Sequence, residues 1–186
     1  MKHIFVIIWI VWLLSEVVLN RFVRSKMNNS KDLDKNSMLI IWIVIFISIS
    51  LGVLCSIYLY QPIIDSNTIR YLGLCMIVAG IIIRMISIGT LGKYFTVNLA
   101  VHEDHKLVRN GLYRYIRHPS YTGSLLSFLG LGLTFNNWIG LVVIFIPILS
   151  SFLYRINIEE KLLLDRFGSE YSEYKTHSKR LIPMIY

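Results

Sequence analysis

Long apolar runs take up most of this chain, and they leave its backbone few choices. Five apolar segments can be marked, at about His3–Leu19, Met38–Tyr60, Tyr71–Leu91, Ser120–Phe135 and Trp138–Tyr154. Several approach the ~20 helical residues that cross ~30 Å of hydrocarbon; the fourth is short. Lipid offers no partner to an exposed N–H or C=O, so each segment is expected to be helical. Strand-like alternation is absent, which argues against a barrel. Of the 186 residues, 55% are hydrophobic and 16% charged, more apolar surface than a soluble domain of this size requires. The expected fold is an all-α, polytopic membrane helical bundle with about five transmembrane helices and a C-terminal interfacial helix. It reads as a single membrane domain over 1–186, with two spans in 1–68 and the rest in 69–186. The first apolar run is long and no small-residue cleavage site follows it, so it reads as a span and not as a cleaved signal.

The formal net charge of +8 raises the question of nucleic acid. The basic residues sit beside the apolar runs, which is the placement of orientation signals and of contacts with anionic lipid. No nucleic-acid partner is expected. Arg21, Arg24, Lys26, Lys31 and Lys35 follow the first run, whereas only Arg70 lies between the second and third. Lys93, Lys106, Arg109, Arg114 and Arg117 follow the third, and the tail carries Arg155, Lys161, Arg166, Lys175, Lys179 and Arg180. This alternation predicts a multi-pass plasma (inner) membrane protein with its N-terminus outside and its C-terminus in the cytoplasm. Cys55 and Cys75 lie inside apolar segments without CxxC spacing, and read as small buried hydrophobes. The run His102-Glu103-Asp104-His105 fits no usual ligand spacing, so no metal is expected.

Asn136-Asn137 is a tight turn signal that makes a helical hairpin of the last two runs. From Ile156 to about Lys175, Leu162, Leu163, Phe167, Tyr171 and Tyr174 recur at three- and four-residue spacing. This predicts an amphipathic interfacial helix, interrupted at Gly168.

Polar groups concentrate at the cytoplasmic edges. The stretch from Gly111 to Gly123 holds Tyr113, Arg114, Tyr115, Arg117, His118 and Tyr121. Pro119 suits the first position of a helix. The free N–H groups and dipole of that helix start would favour an anion, with Arg117 and His118 adding positive charge. The plainer alternative is a lipid-facing anchor at Arg117 and a helix cap at His118. Arg155 and Glu159 stand four apart on one helix face. They read either as a simple intrahelical pair or as a guanidinium poised to fork onto a carboxylate. Glu160 points elsewhere and reads as solvated. Arg84 falls inside the third run, where a charge costs roughly 3 kcal/mol on insertion scales; it either snorkels or lines a cavity.

Gly111-x-Tyr113-x-x-x-Arg117-His118-Pro119-x-Tyr121-x-Gly123, preceded by His105-Lys106-Leu107-Val108, resembles the signature of isoprenylcysteine carboxyl methyltransferases and their prokaryotic membrane relatives. Arg155-x-x-x-Glu159-Glu160, Phe167-Gly168-x-x-Tyr171-x-x-Tyr174 and Arg180-x-x-Pro183 are similar to the same family's C-terminal region. The resemblance implies an O-methyltransferase that uses S-adenosylmethionine without a Rossmann domain. By resemblance, His105, Leu107, Val108, Tyr113, His118, Pro119, Ser120, Tyr121 and Glu159 are cofactor contacts. Arg155 is the substrate-side arginine, and Arg155 and His118 are the catalytic candidates. The implied partners are a lipophilic small-molecule or lipidated substrate bearing a carboxyl or hydroxyl acceptor, and membrane lipid. Two other readings stay open: an NADPH-dependent membrane reductase of the sterol-reductase type, whose tail is similar, and a non-catalytic lipid-binding protein.

Overall fold

A computed structural model describes residues 7–12, 14, 36–59, 61–92, 95 and 107–183. Most of the first expected span lies outside these residues, as do the basic loop after it and the 102–106 run that includes His105. Residues 7–12 are helical. Then come α1 (Asn36–Tyr58), α2 (Thr68–Leu91), a short 3-10 turn (Gly111–Arg114), α3 (Pro119–Thr134), α4 (Trp138–Phe167) and α5 (Ser169–His177). Among the described residues the only β pairing is a single parallel bridge, Ile116 to Lys179.

Among the described residues, three helices, α1, α2 and α4, are long and apolar enough to cross a bilayer. α3, at 16 residues, is about 24 Å long and falls short of that. It is instead wrapped by its neighbours, with ten residues buried, among them Gly123, Ser124, Phe128 and Leu131. The fifth run does not end at Tyr154. Nothing from Tyr154 to Phe167 breaks a helix, and good helix formers fill the stretch. α4 therefore continues for 30 residues, about 45 Å, into the tail. The expected interruption falls at Gly168, whose φ of 52° is the left-handed conformation glycine adopts without cost.

α2 and α3 run antiparallel with their backbones in contact. A Cβ placed on Gly73 would lie 2.5 Å from the carbonyl oxygen of Gly130. One placed on Gly123 would lie 2.6 Å from that of Gly80. Between these pairs Ser127 Oγ donates to the carbonyl of Ile77 at 3.3 Å, and Ile77 is fully buried. In lipid, close approach of this kind replaces the hydrophobic effect as the cause of helix association. A looser version joins α1 to α4, where a Cβ on Gly140 would sit 3.2 Å from the Gly52 carbonyl. α4 also packs on α3 through Phe152 and Phe128, whose rings are 6.0 Å apart. Trp12 stands edge-on to Phe128 at 5.1 Å. Cys75 is exposed on the outside of α2 and Cys55 is half-buried, so only Cys55 comes near the buried role expected for both.

The hairpin turn falls where the Asn-Asn pair predicts. Asn136 adopts φ 49°, and its Oδ1 accepts from the N–H groups of Ile63 and Ile64, each at 3.2 Å. Asn137 Oδ1 caps α4 by accepting from Gly140 N at 2.8 Å, and its Nδ2 donates to Leu59 O at 2.8 Å. Two side-chain amides thus tie the α1–α2 loop to the α3–α4 turn. The start of α1, the end of α2 and the start of α3 then gather at the opposite end, beside the Arg155 turn of α4.

At that end α5 folds back over the 3-10 turn. Tyr174 donates its hydroxyl to the carbonyl of Tyr113 at 2.5 Å, and Ser178 Oγ donates to Tyr174 O at 2.6 Å. Tyr171 is fully buried. Burial pushes the Tyr174 phenol up to about 12, with Arg117 opposing. Burial, aided by the Glu160 charge, also raises Tyr171, and burial aided by Glu159 raises Tyr113.

Two outcomes are expected. Gly80→Ala should force α2 and α3 apart and cost about 1–3 kcal/mol, while Gly89→Ala, whose Cβ would meet nothing within 4 Å, should be neutral or slightly stabilising. Thermal unfolding in one detergent compares them. The raised phenols stabilise the fold fully below the unfolded tyrosine value of about 10, and this contribution is lost as pH rises from there through about 12. Alkaline titration followed by phenolate absorbance should therefore show these tyrosines ionising together with unfolding of the C-terminal cap.

Candidate active site

The N-terminus of α3 provides one wall of the site. Pro119 is its first residue, as the sequence predicts, and His118 gives no side-chain cap. The N–H groups of Ser120 and Tyr121 therefore point out of the helix start without an intrahelical acceptor. The preceding residues are fixed by the C-terminal segment. Arg117 N donates to Lys179 O at 2.8 Å, His118 N to Arg180 O at 3.2 Å, and Lys179 N to Tyr115 O at 2.9 Å. Thr122 Oγ1 adds a bond to Leu181 O at 2.7 Å. Residues 115–118 and 178–181 thus form a short parallel pairing that packs against the helix start.

α4 provides the other wall. Arg155 is 2% exposed. Its Nε donates to the Tyr121 hydroxyl at 2.9 Å, and its Nη1 donates to Ser37 Oγ at 2.6 Å. The Tyr121 hydroxyl in turn donates to Glu159 Oε2 at 2.8 Å. Arg155 and Glu159 do share a helix face, and a tyrosine from α3 bridges them. Tyr121 also packs edge-on against Phe152 at 5.6 Å.

Glu160 corrects the sequence reading. It is not solvated but 5% exposed. Oε1 accepts from Arg117 Nε at 2.8 Å and Oε2 from Arg180 Nη2 at 2.6 Å. His118, 4% exposed, lies between the two carboxylates. Its Nδ1 is 3.8 Å from Glu159 Oε1 and its Nε2 3.4 Å from Glu160 Oε1, the latter without the alignment of a hydrogen bond. Arg117 further donates through Nη1 to the carbonyl of Ser178.

Of the residues singled out by sequence, the structure brings Tyr121, His118, Arg155 and Glu159 together, with Pro119 and Ser120 beside them. Tyr113 is buried under Tyr174 at the edge of this group. Leu107 and Val108 are half-buried in the segment leading to the 3-10 turn. The next residue, Arg109, anchors that segment to α5 by donating to the carbonyl and the carboxylate of Glu170 at 2.9 and 3.0 Å. His105 lies outside the described residues. Arg84 Nη1 donates to Ser124 Oγ on α3, one turn of that helix from Tyr121. Sequence reasoning missed Ser37, Arg109 and the role of Glu160. Only Glu160 carried a signal: neighbours in a helix point about 100° apart, so a Glu-Glu pair can serve two sites at once.

The arrangement can do specific chemistry. A buried, oriented guanidinium suits a carboxylate. Uncapped N–H groups at a helix start suit a second anionic group. Glu159, with one oxygen engaged by Tyr121 and its side chain about a quarter exposed, is the acceptor open towards water.

Comparison with known proteins points the same way. The sequence profile of the isoprenylcysteine carboxyl methyltransferase (ICMT) family matches residues 72–165. A probable protein-S-isoprenylcysteine O-methyltransferase from Oryza sativa subsp. indica is 37% identical over 114 residues, 59% of this chain and 60% of that protein. The enzyme of that name from Saccharomyces cerevisiae is 36% identical over 61% of this chain and 48% of its own length. The chain thus spans about half to three-fifths of these relatives. Among solved structures, a eukaryotic intramembrane Ras methyltransferase of the same name aligns with a TM-score of 0.63 at 28% identity, covering 77% of this chain and 52% of that one. With most of α2 and α4, all of α3, the His-Pro helix start and the Arg-Glu-Glu turn inside the matched region, this chain belongs to the isoprenylcysteine carboxyl methyltransferase family.

Proposed function

We propose that this chain is an integral membrane methyltransferase that uses S-adenosylmethionine to methylate a carboxyl, or failing that a hydroxyl, on a lipophilic or lipidated acceptor. The observation that carries this reading is Arg155: a guanidinium 2% exposed at the edge of a membrane helix, bridged by Tyr121 to Glu159. Family membership supplies the choice of methyl donor.

The residues present suit such a donor. The N–H groups of Ser120 and Tyr121 would receive its carboxylate, and Glu159 its amino group or ribose hydroxyls. Tyr113, His118, Leu107 and Val108 would enclose it, with His105 joining from outside the described residues. When bound, the donor supplies an electrophilic methyl on a sulfonium.

The protein's part is alignment and charge. Arg155 holds the acceptor carboxylate, which is ionised at neutral pH and needs no general base. Tyr121 keeps Arg155 and Glu159 at a fixed separation, so the acceptor and donor sites share one rigid reference. In-line displacement gains much of its rate from such alignment. A hydroxyl acceptor would have to lose a proton, and His118 is the base within reach. The exposed apolar faces of the spans leave a lateral path for a greasy acceptor. The basic flanks support an orientation that opens the site to the cytoplasm at the plasma (inner) membrane.

The test begins with calorimetry on purified, folded protein. Saturable binding of S-adenosylhomocysteine is expected; no binding removes the proposal, and NADPH binding in its place favours a reductase. Transfer of radiolabelled methyl to a synthetic S-prenylated cysteine then separates carboxyl from hydroxyl acceptors by the alkaline lability of the ester. Arg155→Lys should lower kcat/KM at least 10- to 100-fold, because an ammonium does not reproduce a forked contact, a loss of about 1.5–3 kcal/mol. Tyr121→Phe should cost roughly as much, since it breaks two charge-assisted bonds while leaving membrane insertion intact. Unchanged turnover in both variants would dissociate this network from the chemistry.

A further inference from the structure

Glu160 bonds neither Arg155 nor Glu159, to which the proposed reaction assigns acceptor and donor, yet it is buried among several partners. One buried carboxylate binds Arg117 from the loop before α3 and Arg180 from the C-terminal segment. It also faces His118 at 3.4 Å. The two arginines belong to the two strands of the short parallel pairing, 115–118 and 178–181. Arg117 reinforces that pairing by donating to the carbonyl of Ser178. Four backbone and hydroxyl bonds join the strands or fasten them to α3. A pairing this short is marginal by itself. What distinguishes it is that both strands are anchored to one charge on α4.

We infer that Glu160 is a positioning residue: it straps residues 178–181 against the start of α3 and so sets the place of His118 and of the N–H groups of Ser120 and Tyr121. This rests on the donor-binding reading above for its functional consequence, but the strap itself does not. Adjacent carboxylates then divide the work. Glu159, the more open, is left for ligand, and Glu160 holds the wall that the ligand meets. Arg117 and Arg180 are held by Glu160 and need not touch ligand to matter.

The experiment reads strap and ligand separately. In ligand-free protein in detergent, trypsin cleavage after Lys175 and Lys179 reports release of the segment, since both side chains are exposed but the backbone between them is tied down. Glu160→Gln is expected to speed that cleavage about tenfold, the worth of ~1.4 kcal/mol. It should weaken S-adenosylhomocysteine binding and raise KM for S-adenosylmethionine by about the same factor, with kcat changed less than about threefold. Glu160→Asp, which keeps the charge, should recover part of both. Arg180→Gln removes one arm of the clamp from a partly exposed position and serves if Glu160→Gln does not fold; it should loosen the strap with little change in melting temperature. Wild-type cleavage rates in a folded Glu160→Gln or Arg180→Gln protein would overturn the inference. So would a faster cleavage that leaves S-adenosylhomocysteine affinity and KM unchanged. If the wild-type protein itself binds no S-adenosylhomocysteine, the methyltransferase reading fails while the proteolysis still decides the strap.

Discussion

Everything at the Arg155 end of the bundle depends on how closely α3 approaches α2. Water drives apolar helices together in a soluble protein, but lipid tails are as apolar as leucine, so association rests on shape and hydrogen bonding. Here the shape is set by glycines seven residues apart on each helix, Gly73 and Gly80 against Gly130 and Gly123. Because each glycine faces a backbone carbonyl of the other helix, with the Ser127 hydroxyl also close at Gly80, the register of α3 along α2 is fixed. Arg84 continues the seam, with its backbone N close to Gly123 and its guanidinium on Ser124. α3 is too short to find its depth from the bilayer. Its neighbours set that depth, and with it the height of His118 and Tyr121.

A second constraint is electrostatic. Arg117, Arg155 and Glu160 are charged groups removed from water, and burying a charge without partners costs several kcal/mol. The chain meets this by connecting them. Ser37 and Tyr121 satisfy Arg155, while Arg117 and Arg180 satisfy Glu160. The partners come from α1, α3, α4 and the C-terminal segment, so the polar network holds together one end of the bundle as the asparagine pair holds the other. A network of this kind tolerates loss of a fully buried member poorly, because the deletion strands the buried charge it had matched.

What could be read in the sequence was what depends on neighbouring residues. Pro119 as a helix start, Asn136-Asn137 as a turn and Gly168 as a break each rest on the conformational limits of the residue itself, and each falls where expected. The helical spacing of Arg155 and Glu159 likewise placed them on one face. Glu160 was misread because its partners are 43 and 20 residues away, a separation that leaves no local pattern. Ser37 is 118 residues from the arginine it meets and looks like any serine before an apolar run. The length of α4 was missed for another reason: the end of apolarity was taken as the end of the helix. A helix leaving the membrane meets water, which solvates its side chains and leaves its backbone bonds intact.

That continuity gives the site its depth. Arg155 lies seventeen residues beyond Trp138 on α4, about 26 Å along the axis. This is near the thickness of the hydrocarbon layer. Glu159 and Glu160 follow about one turn later, roughly 6 and 7.5 Å further along the axis. One unbroken helix therefore ranks the groups along its axis, with the guanidinium first and the carboxylates one turn beyond it. Under the proposed function, an amphiphilic acceptor would keep its tail in lipid and its anionic head at the membrane edge, and its carboxylate would reach Arg155 without the tail leaving the membrane. The proposed water-soluble donor would approach from the other side and meet Glu159 first. Between them stands Tyr121, bonded to both. Had α4 ended at Tyr154, Arg155 and Glu159 would both lie beyond it, and their place relative to Tyr121 would follow loop motion. On one helix, with a tyrosine from α3 locked between them, the separation of Arg155 and Glu159 is a property of the backbone.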